Sequence, residues 1–262
     1  MSEHVNPLLA KAKMPGRIFQ LPSRGIFYTD GELDDTIRNG EIHVQPLSAM
    51  DEIVMKNPDQ LFSGDAVRNV YSACVRGVKK PTQLLAKDVD AIMLFLRTVT
   101  YGPTFEFSVK HNCEKAVEHT YHANVDEMIA NLKMVDPTTA AEVYTVTLQN
   151  DQTVKLHPTR YSHMIELIKS NQGKDELTAE DQKANLKMML LGIIESVDGI
   201  TDRRLIEEWI STLQSTYATR ILEKLDEVNG WGPTMKWPTK CLDCGAVFDV
   251  ELPINPVSFF TE

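Results

Sequence analysis

The chain has 262 residues, 42% of them hydrophobic and 24% charged, enough for one large domain or two smaller ones and unlike a disordered polymer. Its 37 acidic residues against 27 basic ones give a formal net charge of −10, which repels phosphate backbones and makes nucleic acid an unfavourable main partner. No stretch approaches about 18 consecutive apolar residues, the amino terminus lacks a signal-peptide pattern, and the cysteines are too few for a disulfide framework; the expectation is a soluble intracellular protein in a reducing compartment, with no membrane partner.

The first 47 residues are rich in turns. PGR at 15, LPSRG at 21, DGEL at 30 and RNGEI at 38 separate IFQL, IFY and IHVQPL, which read as short strands and extended segments. Ser48 precedes AMDEIVM and Asp51 follows three residues later, a capping-box-like start for a short helix ending near Pro58. In AVRNVYSACV, Ala66, Val67, Val70, Cys74 and Val75 share one helical face, so Cys74 reads as a small core residue. KDVDAIMLFLRTVTYG predicts a helix apolar at 89, 92, 93, 96 and 99, stopped by Tyr101, Gly102 and Pro103.

From Thr104 the period changes to two. FEFSVK and AVEHTYHANV flank HNCEK, a predicted hairpin tipped by Cys113, and VDEMIANLKMV returns to helix. VYTVTL and TVKLHP form a second predicted hairpin around QNDQ. Beyond Arg160 the chain is strongly helical: Thr178 caps a largely buried helix through LKMMLLGII that Asp198 and Gly199 end. Thr201 and Asp202 open another, with Leu205, Trp209, Leu213, Tyr217, Ile221, Leu225 and Val228 spaced about four apart. At roughly 28 residues this helix would be about 40 Å long, suited to bridging parts, presenting a face to a partner, or forming the core of a bundle. Gly230, Gly232, Pro233 and Pro238 break the pattern beyond it. The fold class is therefore α+β, a mostly helical body with two β-hairpins and a C-terminal zinc-ribbon-like knuckle. The expected organisation is 1–103 as extended segments plus helices, 104–125 with 238–254 as a split knuckle, and 126–237 as a hairpin plus helical domain.

The sharpest chemical signal is CLDCG at 241. A C-x-x-C turn followed by Gly lets two thiolates converge on one cation, because Gly245 can take the positive φ such a knuckle needs. A tetrahedral structural site needs two more donors, and HNC at 111–113 offers His111 and Cys113 on a hairpin turn. Hence the candidate ligand set is Cys241, Cys244, Cys113 and His111, holding a structural zinc. Free thiols on a surface turn are the plain alternative. A redox pair would sit at a helix start, yet GAVFDVELP reads as a strand. On a strand, His119 and His122 point to opposite faces, so at most one could join Cys113.

Signatures of enzymes are missing: the sequence has no G-x-S-x-G, G-x-x-x-x-G-K-[ST], H-E-x-x-H or G-x-G-x-x-G. Adjacent acids such as Asp34 and Asp35, or Glu207 and Glu208, read as solvated faces. His157 and His163 read as cap or surface residues. No enzymatic activity is expected.

Several blocks in order, namely LPSRGIFY from 21, NGEIHVQPLSAMDEIVMKNPDQLFSGDAV from 39, the helix ending in ACV at 75 and DVDAIMLFLRTVTYG from 88, resemble the T4-type bacteriophage baseplate protein family, which includes small baseplate hub assembly proteins. The hairpin YTVTLQNDQTVKLHPTRY and the ending CLDCGAVFDVELPINPVSFF continue the resemblance over nearly the whole chain, with 170–230 least diagnostic. The family pattern carries a first C-x-x-C near residue 110, where Lys110 here replaces the first thiol and leaves only Cys113. Either His111 takes the missing place or metal has been lost. The resemblance implies a non-enzymatic, chaperone-like or scaffolding role in assembling the baseplate central hub, with hub and tail proteins as partners, in the host cytoplasm during virion assembly or in the virion as a structural component. LPSRG and VSFF would be exposed apolar anchors for such partners, unless Phe259 and Phe260 fold back on the chain. A different class, a zinc-ribbon nucleic-acid-binding module, is opposed by the charge.

Overall fold

The computed structural model describes residues 15–115, 117–252 and 259–260. In chain order the elements are β1 (Arg17–Gln20), β2 (Glu41–Val44), α1 (Ala49–Met55), α2 (Pro58–Ser63), α3 (Asp65–Cys74), β3 (Val75–Arg76), α4 (Ala86–Tyr101), β4 (Thr104–Lys110), β5 (Glu118–Asn124), α5 (Val125–Ala130), α6 (Ala140–Val143), β6 (Thr145–Thr147), β7 (Thr153–Leu156), α7 (Tyr161–Asn171), α8 (Ala179–Ile193), β8 (Ile194–Val197), α9 (Arg203–Thr212), α10 (Ser215–Val228), β9 (Lys236–Lys240) and β10 (Val247–Glu251). The class is α+β. Small antiparallel sheets, β1-β2-β3 and β6-β7-β8, accompany the hairpins β4-β5 and β9-β10.

Local chemistry explains the first helices. Ser48 and Asp51 form a reciprocal capping box at α1, as the sequence indicates. Pro58, expected as a stop, instead opens α2: the Asn57 side chain accepts from the amides of Asp59 and Gln60, and a proline at the first helical position loses no bond. In α3, Ala66, Val67, Val70 and Cys74 are buried together with Tyr71, whose hydroxyl donates to the carbonyl of Val89 at 2.9 Å.

Helix α4 is the centre of the larger core. Val89 and Ala91 through Leu96 are all buried, so the helix is covered on every side and not on the single stripe its periodicity suggests. Phe19 of β1 stacks on Phe95 at 4.3 Å between centroids. Phe259 and Phe260 are fully buried in the same core, with Phe105 packed on Phe259. The Tyr101 hydroxyl donates to the Phe260 carbonyl at 2.9 Å. These two aromatics fold inward and are not exposed anchors; Val257 and Ser258 lie outside the described residues.

LPSRG is likewise internal. Leu21 and Ser23 are fully buried. The carboxylate of Asp88, at the start of α4, accepts from the Ser23 amide at 3.0 Å and the Tyr28 hydroxyl at 2.6 Å, and the Tyr28 oxygen accepts from the Leu85 amide at 2.9 Å. Beside this staple, Arg160 donates to Glu32 at 2.8 Å and to the Gln83 carbonyl at 2.7 Å. His157 lies 3.1 Å from the Phe27 carbonyl, so it belongs to a half-buried structural network and not to the surface.

A second core is built on β6-β7-β8, with Val146, Val154, Leu156, Ile194 and Val197 packed against Ile206, Ile210, Ala218 and Ile221. The hairpin β6-β7 pairs Thr145 with Lys155 around the expected QNDQ turn, where Asp151 takes a φ of 63°. Two expectations fail here. Helix α8 stops at Ile193 and the chain continues as β8, because β7 offers an unpaired edge that an Ile and Val segment fits; only Leu190 and Ile193 are buried in α8. The single long helix is in fact α9 and α10, separated by Leu213 and Gln214 with ψ of 131° and 145°. The hydroxyls of Ser211 and Thr212 bond back to carbonyls of α9 at its end, and the bend lets both apolar stripes reach one sheet that a straight 40 Å rod would overshoot.

Burial pushes the Asp88 carboxyl up to about 6, against the opposing hydrogen bonds of Ser23 and Tyr28. The unfolded value is about 3.9, so the folded state binds the proton more tightly and the ionised group loses stability as pH rises from about 4 to about 6. Asp88→Asn carries no such charge; urea melts are expected to show its stability relative to wild type improving over that interval by on the order of 3 kcal/mol. A difference independent of pH would contradict this. Asp88→Ala, which orphans the Ser23 and Tyr28 donors, is expected to cost about 3 kcal/mol at neutral pH.

Candidate metal centre

Two hairpin tips distant in sequence meet in space. Hairpin β4-β5 pairs Thr104 with Asn124 at its base and Lys110 with Glu118 at its tip, which carries His111 and Cys113. Ribbon β9-β10 pairs Lys236 with Glu251 and Lys240 with Val247, and its turn carries Cys241 and Cys244. Within that turn the Cys241 amide donates to the Ala246 carbonyl at 2.8 Å and the Gly245 amide to the Cys241 carbonyl at 3.0 Å. Gly245 sits at φ 74°, the left-handed conformation the knuckle requires.

The four donor atoms of His111, Cys113, Cys241 and Cys244 all lie within 4.8 Å of one another. Cys113 Sγ is 4.0 Å from Cys241 Sγ, and Cys244 Sγ is 3.4 Å from His111 Nδ1. A tetrahedral zinc with sulfur at about 2.3 Å and nitrogen at about 2.0 Å would separate two sulfurs by about 3.8 Å and a sulfur from a nitrogen by about 3.5 Å. Both contacts match those edges. Three soft sulfurs and one imidazole are a donor set for zinc rather than for a hard cation.

The surroundings favour thiolate at one position. Backbone hydrogen bonding from Cys244 first, and from Asp243, pulls the Cys241 thiol down to about 6 against its partial desolvation, with further help from the Cys244 and His111 side chains. Cys244 receives a backbone bond from Ala246, yet partial desolvation and the neighbouring Cys241 and Cys113 thiols outweigh it and push its own thiol up. Cys241 is buried and Cys244 exposed.

Neither extra histidine joins the set. His119 instead lies with Nε2 2.8 Å from Asp243 Oδ2, tying β5 to the knuckle, and His122 points outward near Glu106 at 3.9 Å. The odd spacing of the pair anticipates their opposite faces. The His119–Asp243 tie was not legible, since nothing local marks a partner 124 positions away. The same holds for the His111 ring stacked on Phe248, 4.4 Å between centroids, which fixes the imidazole facing the thiols. Lys110 is exposed at the end of β4 opposite Glu118, and the next residue, His111, has a ring nitrogen within 4.8 Å of the three thiols. Cys74 is buried in the α3 core, where burial first and the nearby Asp51 second push its thiol up to about 12.

A family described as T4 bacteriophage base plate protein matches the chain over residues 37–261. No curated protein and no solved structure matches it.

Purified protein is expected to carry close to one equivalent of zinc by elemental analysis. Cys241→Ser with Cys244→Ser, or a chelator acting on the wild type, should lower the thermal midpoint by about 5 °C or more, because a structural metal contributes folding free energy. Metal-free protein whose melting ignores both treatments would remove the metal from the site.

Proposed function

The chain belongs to the T4 bacteriophage base plate protein family, and on that premise we propose that it is a non-enzymatic tail assembly protein that promotes or scaffolds assembly of the baseplate central hub through protein–protein contacts. The observation that carries this reading is the family match across most of the chain. The internal architecture supports it: Asp88 and Tyr28, both pushed up by burial, are engaged in holding a loop to α4 rather than in meeting a nucleophile in a cleft. A zinc held by His111, Cys113, Cys241 and Cys244 would clamp the β4-β5 tip to the C-terminal ribbon and so keep the outer faces of the scaffold in register. Its chemistry there would be structural, with no open coordination position for a substrate.

As a member of a baseplate family the chain contacts other phage baseplate proteins, and we place that contact at the hub during assembly in the host cytoplasm. Among the described residues no helix is long and apolar enough to cross a membrane. The net charge of −10 favours neutral or basic protein surfaces over nucleic acid as partners.

Deleting the gene from its phage is expected to stop tail assembly before a complete hub forms, with rescue by the chain supplied from a plasmid. Mass spectrometry of purified particles is expected to find it absent or well below stoichiometric amounts. Normal particle yield without the gene would overturn the assembly role, and a fixed copy number in mature particles would make it a structural component instead.

A further inference from the structure

An apolar groove of about 500 Å³ runs between α2 and α7, with α4 along its bottom. Its floor is buried Met55, Val67, Val89 and Met93, while Phe62, Met164 and Ile168 stand at its rim, 48%, 38% and 40% exposed. One carboxylate lines it: Asp90. The contrast with Asp88, two residues earlier and on the opposite face of the same helix, is informative. Asp88 is satisfied by Ser23 and Tyr28, whereas no hydrogen bond or ion pair among the described residues reaches Asp90. Burial pushes the Asp90 carboxyl up to about 6, opposed only by the charge of Lys87. The groove therefore combines an apolar trough with a single half-buried acid that no hydrogen bond or ion pair among the described residues engages.

We propose that this groove receives an amphipathic helix of a partner protein, whose aliphatic face fills the trough and whose lysine or arginine pairs with Asp90. A small ligand would leave Phe62, Met164 and Ile168 in water, whereas a helix laid along the groove covers both rims. An extended peptide finds no strand edge here, because the walls are helices; a helix satisfies its own backbone. Three methionines, Met55, Met93 and Met164, give the lining the adaptability of helix-binding grooves. The acid supplies specificity, since a carboxylate facing an apolar or acidic helix would remain unpaired or be repelled.

This deepens the reading of the chain as a protein-binding assembly factor, and the test keeps the two apart. Designed amphipathic peptides of about 18 residues, fluorescently labelled and identical except for Lys or Glu at the centre of the aliphatic face, are titrated with full-length protein by anisotropy. The Lys peptide is expected to bind wild type at least about tenfold more tightly than the Glu peptide. Asp90→Asn, which breaks no hydrogen bond or ion pair among the described residues, should shrink that preference to about twofold or less, and Ile168→Glu should weaken the Lys peptide at least about tenfold with unchanged melting. Equal affinity for the two peptides, no measurable binding, or indifference to Ile168→Glu would overturn the proposal. If wild type and both variants co-purify equally with tagged tail proteins, the groove falls and the assembly role stands; if the gene is dispensable for particle formation while the peptides bind as expected, the reverse holds.

Discussion

The structure depends on covering one helix completely. Residues Ala91 through Leu96 of α4 present apolar side chains in every direction, so no face of the helix can be left to water. Each neighbour is recruited to close one side: the β1-β2-β3 sheet through Phe19, α3 through Tyr71, and the chain end through Phe259 and Phe260. Burial also strands polar groups of α4, and other segments satisfy several of them. Asp88 is met by Ser23 and Tyr28, Thr98 donates to Asp126 at 2.7 Å, and Arg97 donates to the Thr104 carbonyl at 3.0 Å while its guanidinium lies 4.6 Å from the Tyr101 ring centre. Much of the amino-terminal chain is thus fixed by hydrogen bonds whose loss would expose a buried acceptor or donor.

The candidate metal centre follows from the same constraint. Hairpin β4-β5 leaves the end of α4 directly, and Phe105 and Phe107 anchor its base in the core. The C-terminal ribbon is anchored by Val250 and Leu252 in that core. With both bases fixed, the two tips are left with little freedom to be anywhere but together. A metal binding there would meet ligands already gathered, so less of its binding free energy is spent on ordering the chain. The His119–Asp243 bond and the His111–Phe248 stack hold the same approach from either side of the thiols.

The second core is smaller and more loosely coupled to α4. Leu85, Val135, Ala140 and Trp231 form the bridge between the two, and the Trp231 indole donates to the Tyr144 hydroxyl at 2.6 Å. Phe27 packs against the bridge and the second core, and Tyr28 against the bridge and the core of α4. The segments resembling the phage family therefore include residues that join the cores and staple α4. Their chemistry is that of architecture, which gives a baseplate-family protein a structural reason to carry ordered sequence blocks.

Much of this was legible locally. Capping residues, the apolar spacing of α3 and α4, the change to period two at Thr104, and the turn chemistry of QNDQ and CLDCG are written within a few residues, because helix ends, pleats and turns are settled by nearest-neighbour sterics and hydrogen bonds. The four donors could be named as well, since thiols and imidazole in HNC and CLDC have few other uses together. What the sequence could not carry were choices made between distant surfaces. The apolar stripe from Leu205 to Val228 suits one straight helix as well as two, and only the extent of the β6-β7-β8 sheet decides for the bend at Leu213 and Gln214. LPSRG and the terminal phenylalanines look like free anchors until α4 is seen to need covering. The sequence by itself determined the caps, the turns, most helices and hairpins and which atoms could bind metal; tertiary packing decided that Ile194–Val197 is a strand, which faces are buried, that His111 and Cys113 meet Cys241 and Cys244, and that Asp90 is left without a hydrogen bond or ion pair among the described residues, because burial and pairing depend on what arrives from elsewhere in the chain.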